Sequence, residues 1–167
     1  DDLENVRRFY QLQGFAKSEV GPPQIEEQGD ELRLTLPIRE GPRMRVVNLN
    51  HEGIESLPGK TLRDNLLLTP GGPFHPYLLE TTLRNLRAAY QDLGYSGAQV
   101  SARQDWNAEH TLVDVSIDVL EGPQTLLDRV IVRGNRRTES EVIRRTLAVG
   151  RGDPISERRA LEIERDL

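Results

Sequence analysis

Tyr10-Gln11-Leu12-Gln13-Gly14-Phe15 recurs eighty residues later as Tyr90-Gln91-Asp92-Leu93-Gly94-Tyr95. Self-similarity at a fixed period marks a chain built from copies of one supersecondary unit. At the same spacing Val20 falls on Val100. Glu40-Gly41-Pro42 falls on Glu121-Gly122-Pro123 at a spacing of 81, so one residue is inserted between the two blocks. Leu32, Leu34, Leu36 and Ile38 then fall on Val113, Val115, Ile117 and Val119, and Gly53, Gly71 and Pro73 on Gly134, Gly152 and Pro154. The Glu-Gly-Pro sites divide the chain into a C-terminal half-unit (1–41), one complete unit (42–122) and an N-terminal half-unit (123–167). Read this way, the chain is a piece of a longer array.

The complete unit reads β-α-α-β-β. Met44 to His51 forms a strand with Val47, Leu49 and His51 turned inward. Thr61 to Leu68 forms a short helix with Leu62 and Leu66 on one face, and Thr69-Pro70-Gly71-Gly72-Pro73 breaks it. Pro76 to Leu93 forms a longer helix whose apolar stripe is Leu79, Leu83, Leu86, Tyr90 and Leu93. His75 takes its N-cap, Pro76 suits the first turn, and Gly94 ends it as a left-handed C′ residue. Ala98 to Gln104 is a strand of weak alternation. Asp105 to His110 is a polar turn, and Leu112 to Leu120 alternates strictly, with Val113, Val115, Ile117 and Val119 inward. The fold class is α+β: tandem units, each a three-stranded mixed sheet covered by two helices.

Composition narrows the function. The 167 residues contain no cysteine, which excludes disulfides, zinc–thiolate sites and thiol nucleophiles. A net charge of −5 argues against nucleic acid as a partner. His51, His75 and His110 show no paired ligand spacing, and His51 reads as a half-buried core residue rather than a metal ligand. Asp105, Glu109 and His110 read as a solvated loop. Gly71-Gly72 lacks the lysine of a phosphate loop and reads as an interhelix turn. Arg136-Arg137, Arg144-Arg145 and Arg158-Arg159 read as solvated helix faces, and Trp106 as a turn residue packed on its neighbour. No nucleophile, base and oxyanion site come together, so the chain is not read as an enzyme, and no cofactor is expected.

The β-α-α-β-β order, the period near eighty, the Glu-Gly-Pro joint, the strand ending in glycine and the Tyr-x-x-x-Gly-Phe/Tyr helix ending together resemble POTRA (polypeptide-transport-associated) domains. The tandem array is most similar to those of the outer-membrane protein assembly family, BamA and its TamA relatives. Val130-Ile131-Val132-Arg133-Gly134-Asn135-Arg136-Arg137-Thr138 resembles that family's strand-and-loop junction, whereas Gly53-Ile54-Glu55 departs from the Gly-Asn pattern. The resemblance implies a periplasmic module of an outer-membrane protein, with a C-terminal membrane barrel elsewhere in the full-length chain. It implies binding of unfolded outer-membrane protein clients or accessory lipoproteins. It also implies that Leu112–Leu120 is central in the sheet and that Ala98, Gln99, Val100, Ser101, Ala102, Arg103 and Gln104 lie at an edge. An edge strand can accept an extended client through main-chain hydrogen bonds. The other reading is an architectural spacer or partner-docking module, of the two-partner-secretion or division type, without direct client contact. The joints Glu40, Gly41, Pro42, Glu121, Gly122 and Pro123 leave almost no linker, so adjacent units are expected to hold a limited range of angles.

The half-units expose complementary apolar faces: Leu32, Leu34, Leu36 and Ile38 on one, Val130, Val132, Ile143 and Leu147 on the other. If the chain is a protein in its own right, two copies are expected to complete each other head to tail; the alternative is that it is a crop and both halves are completed by residues outside this sequence. Light scattering across a concentration series measures this, with mass rising as concentration rises; a monomer at every concentration refutes it.

Overall fold

The computed structural model describes residues 2–29, 31–134, 139–147, 149–156 and 160–161. The element order is α1 (Asp2–Leu12), β1 (Glu19–Val20), β2 (Gln24–Gln28), β3 (Glu31–Thr35), β4 (Ile38–Arg39), β5 (Arg45–Glu52), α2 (Gly59–Asn65), α3 (Pro76–Asp92), β6 (Gln99–Trp106), β7 (Leu112–Leu120) and α4 (Ser140–Leu147). Residues 45–120 carry β-α-α-β-β, and β7 is the centre of a three-stranded sheet ordered β5-β7-β6. Arg45 N–H donates to the Thr111 carbonyl, Asn48 N–H to Asp114, and Glu55 and Ser56 N–H to Glu121. Partner numbers rise in step, so β5 runs parallel to β7. β6 and β7 form an antiparallel hairpin, and the sheet is mixed.

Contacts group the chain into two compact units: residues 1–51, 66–83 and 102–117, and residues 52–65, 84–101 and 118–167. The core of the first is Val46, Leu68, Phe74, Leu79, Val113, Val115 and Ile117. Its hairpin closes through Asn107, whose Oδ1 accepts the N–H groups of Thr111 and Leu112 at 2.9 Å each. Trp106 is the last residue of β6 rather than part of the turn, and stands edge-on to buried Phe74 at 4.9 Å. The core of the second unit is Leu57, Leu86, Tyr90, Ala98, Val100, Val119 and Leu147. Burying each such side chain contributes about 1.5–3 kcal/mol.

Four further expectations are corrected. In β5 the inward residue is Val46, 1% exposed; Val47 is 43% exposed and His51 lies at the surface. Two adjacent valines leave the parity of the strand open in sequence. The parity is set by Val46, whose N–H bonds the Gly72 carbonyl while its own carbonyl takes the Gly71 N–H. The short helix starts at Gly59 and ends at Asn65, because the Thr82 hydroxyl captures the Leu67 N–H at 3.0 Å. In residues 1–41 the last two strands are each split. β2 pairs with β3 and β1 with β4, with Pro22-Pro23 and Pro37 at the breaks, since proline cannot donate to a ladder. Val130–Val132 is not a strand: Leu126 forms a single bridge with Pro154, and among the described residues no strand pairs with this segment. Asn135–Thr138 and Arg158-Arg159 lie outside the described residues, as do the side chains of Arg144 and Arg145.

Gly53 ends β5 with φ +73, and a Cβ there would collide with the Val119 carbonyl; Gly71, at φ +78, has open space around it. Gly71→Ala therefore tests left-handed strain alone and is expected to cost about 1–2 kcal/mol. Gly53→Ala adds overpacking against backbone and is expected to cost about 3 kcal/mol or more. Urea unfolding of the two variants checks the order.

Candidate functional site

Each long helix ends in the same Schellman geometry. Gly94 has φ +84; its N–H donates to the Gln91 carbonyl, and Tyr95 N–H reaches back to Tyr90 at 2.9 Å. Gly14 has φ +94, with the matching bonds to Gln11 and from Phe15 to Tyr10. This ending turns the glycine carbonyl away from the helix. What it meets is the segment that follows each Glu-Gly-Pro. Met44 N–H donates to the Gly14 carbonyl at 2.7 Å, and Thr125 N–H to the Gly94 carbonyl at 2.8 Å. Arg43 Nε caps the Gln13 carbonyl and Gln124 Nε2 the Leu93 carbonyl, both at 2.9 Å. Beyond them, Val46 N–H to Gly72 and Gly71 N–H to Val46 recur as Leu127 N–H to Asp153 and Gly152 N–H to Leu127. Two joints, one in each compact unit, thus have one backbone design.

The joint residues themselves divide in role. Gly41 and Gly122 both hold positive φ, +71 and +70, and Pro42 and Pro123 are exposed. Glu40 is exposed, whereas Glu121 is half-buried and centres a network. Its Oε1 accepts the N–H groups of Glu55 and Ser56 and the Tyr90 hydroxyl, all at 2.8 Å, and its Oε2 accepts the Ser56 hydroxyl at 2.6 Å. Tyr95 donates to Ser56 Oγ at 2.8 Å. Burial alone would raise the Glu121 pKa, but these hydrogen bonds outweigh it and hold the carboxyl at about 2. Burial, then the bond to Glu121, pushes the Tyr90 phenol up. The sequence signal for this network was present: Tyr10 and Tyr90 precede Glu40 and Glu121 by nearly equal intervals. Ser56 and Tyr95 gave no such signal. His75 Nδ1 accepts the Tyr77 N–H at 3.0 Å, as an N-cap should, and burial keeps its pKa below the ordinary imidazole value.

The residues expected at an edge lie in and just before β6, which among the described residues has only β7 as a neighbour in the sheet. Ala98 and Val100 are buried, Ala102 is half-buried, and Gln99, Ser101, Arg103 and Gln104 are exposed. Register follows from the bond of Asn107 N–H to the Leu112 carbonyl. Counting back in twos, residues 105, 103, 101 and 99 turn their backbone groups toward β7, and residues 106, 104, 102 and 100 turn theirs to the open side. Buried Val100 then faces buried Val119, as this register requires. The edge can pair with an extended backbone. Among the described residues no group of three or more His, Asp or Glu could hold a metal ion, and no helix is long and apolar enough to cross a membrane.

Residues 44–122 match the family described as POTRA, surface antigen variable number repeat. The chain is 27% identical over 149 residues to an outer membrane protein assembly factor BamA from Neisseria meningitidis, covering 87% of the chain and 19% of that protein. It is 24% identical over 144 residues to a BamA from Nitratidesulfovibrio vulgaris, covering 84% of the chain and 18% of that protein. The chain thus spans about a fifth of the length of these curated relatives. The crystal structure of Haemophilus influenzae BamA POTRA3-5 aligns at TM-score 0.48 with 17% identity, covering 99% of this chain and 66% of that one.

Because Glu121 is depressed from 4.5 to about 2, its contribution to stability is full above pH 4.5 and is lost as pH falls toward 2. Tyr90 acts oppositely: its contribution is full below pH 10 and is lost above it. Glu121→Gln is expected to lose about 1–2 kcal/mol at pH 7 and to flatten the acid limb of the stability curve. Thermal unfolding at pH 3, 5 and 7 measures both effects.

Proposed function

We infer that this chain, whose residues 44–122 belong to the POTRA family, is a periplasmic scaffold module of an outer-membrane protein assembly machine. Its curated relatives are outer membrane protein assembly factors, which supports that setting. In this reading 42–122 is one complete unit between the half-units 1–41 and 123–167. A membrane barrel belongs to the full-length protein, and accessory lipoproteins are candidate partners. The module works by holding and presenting polypeptide, not by catalysis.

The finer proposal is that β6 takes unfolded β-barrel clients as an added strand. The observation that carries it is the position of β6 beside β7 alone among the described residues, with the backbone groups of Val100, Ala102 and Gln104 turned outward. Main-chain pairing asks little of client sequence, which suits a module serving many barrel precursors. Val20, the counterpart of Val100, lies in a strand only two residues long that is followed by Pro22-Pro23, so it is a poorer acceptor. An architectural spacer is the second reading, and the repeated joint favours it. The design seen at Gly14–Met44 and Gly94–Thr125 fixes how one segment leaves the last.

The test separates the two. A capped ten-residue peptide of alternating Val and Thr, titrated into the full chain to millimolar concentration, is expected to shift the amides of 98–104. Ala102→Pro removes a donor on the open side while leaving the β7 ladder intact, and is expected to abolish those shifts with the fold retained. Shifts confined to helices, or none at all, leave the spacer reading standing.

A further inference from the structure

Two clefts in the molecule are copies of each other. One, of about 640 Å³, is lined in part by Arg7, Val20 and Gly21; the other, of about 510 Å³, by Arg87, Val100 and Ser101. Each residue of the first set stands eighty positions before its counterpart in the second. In both, a long helix contributes an arginine to the wall beside a strand at the same register. Gly21 N–H bonds the Pro37 carbonyl, and Val20 pairs with Ile38. The backbone of Val20 is thereby turned to the open side, as that of Val100 is.

The arginines differ in what they hold. Arg7 Nη1 pairs with Glu4 at 2.9 Å on its own helix. Arg87 Nη2 instead donates to the Val100 carbonyl at 3.1 Å. That carbonyl is an acceptor on the open side of β6. The guanidinium therefore stands where the N–H of an added strand would arrive. The helix supplies one donor of the missing neighbour, at the edge where pairing is geometrically possible, and withholds it where β1 is too short to pair.

We propose that Arg87 is a latch on the β6 edge: it occupies the acceptor that an incoming extended polypeptide needs, and releasing it admits the partner. The proposal rests on the strand-addition reading above and names the residue that sets its affinity. The partner is an extended segment with an N–H opposite Val100 and small or apolar side chains beside Ala98 and Ala102, which share the face of Val100. Displaced Arg87 regains its hydrogen bonds from water, so the latch weakens association without forbidding it. It also screens the edge against indiscriminate pairing with other chains.

Arg87→Ala in the full chain is the test, read with the same capped Val-Thr peptide by the amide shifts of 98–104. Loss of the competing donor is expected to tighten binding about threefold to tenfold, the range of one hydrogen bond's net worth. A side chain that only supported the fold would not strengthen binding when removed. Arg87→Lys keeps the charge and is expected to fall between the two. Shifts at 98–104 with equal or weaker affinity in Arg87→Ala overturn the latch and leave strand addition intact. No shift at 98–104 in either protein overturns both.

Discussion

The carbonyl of a left-handed glycine at the end of a long helix is the point on which the structure turns. At Gly14 and at Gly94 the chain leaves the helix with positive φ, and the glycine carbonyl receives a backbone N–H of the next segment. A side chain has no room at either place: a Cβ on Gly94 would lie 2.5 Å from the Thr125 carbonyl, and one on Gly14 would meet Met44 in the same way. Helix termination and the start of the next strand are therefore one event. β5 begins where the first of these bonds lets it, and β7, the sheet centre, aligns on β5 through Arg45–Thr111 and Asn48–Asp114.

At the far end of β7, Glu121 uses a single carboxylate to gather four donors from the loop after β5 and from α3. The same tripeptide that holds this anchor then turns through Gly122 and enters the second joint. Glu121-Gly122-Pro123 thus combines two duties in one tripeptide, whereas Glu40 in the other copy is exposed. Glu121 ties the loop after β5 to α3, and the residues after Pro123 begin the following segment.

Much of this was legible in the sequence because it was written twice. The period exposed Gly14 and Gly94, the strict alternation of Val113 to Val119 identified a buried strand, and the stripe from Leu79 to Leu93 gave α3 to within a residue. What escaped were matters of parity and partner. Val46 and Val47 are equally apolar, and only the bonds to Gly71-Gly72 decide which is buried. Thr82 interrupts an apolar stripe yet is fully buried, because its hydroxyl serves Leu67 from another segment. The split of the first two strands depended on where Pro22, Pro23 and Pro37 fall relative to a ladder whose register was not yet known. The edge position of β6 came from family resemblance, and Arg87 gave no sign of its role, since an arginine on an exposed helix face is unremarkable until the carbonyl beside it is seen.

The joint is made almost entirely of main-chain atoms and of residues whose value is a missing side chain. Such a connection carries no side-chain code that two neighbours must change together. A copy of the unit, inserted in frame between one Glu-Gly-Pro and the next, would find the same glycine carbonyl behind it and offer the same one ahead. Arrays of this kind can lengthen or shorten by duplication and loss without inventing a new contact, while the surfaces of each copy diverge freely. The two clefts already differ in this way, Ser18 standing in one where Ala98 stands in the other.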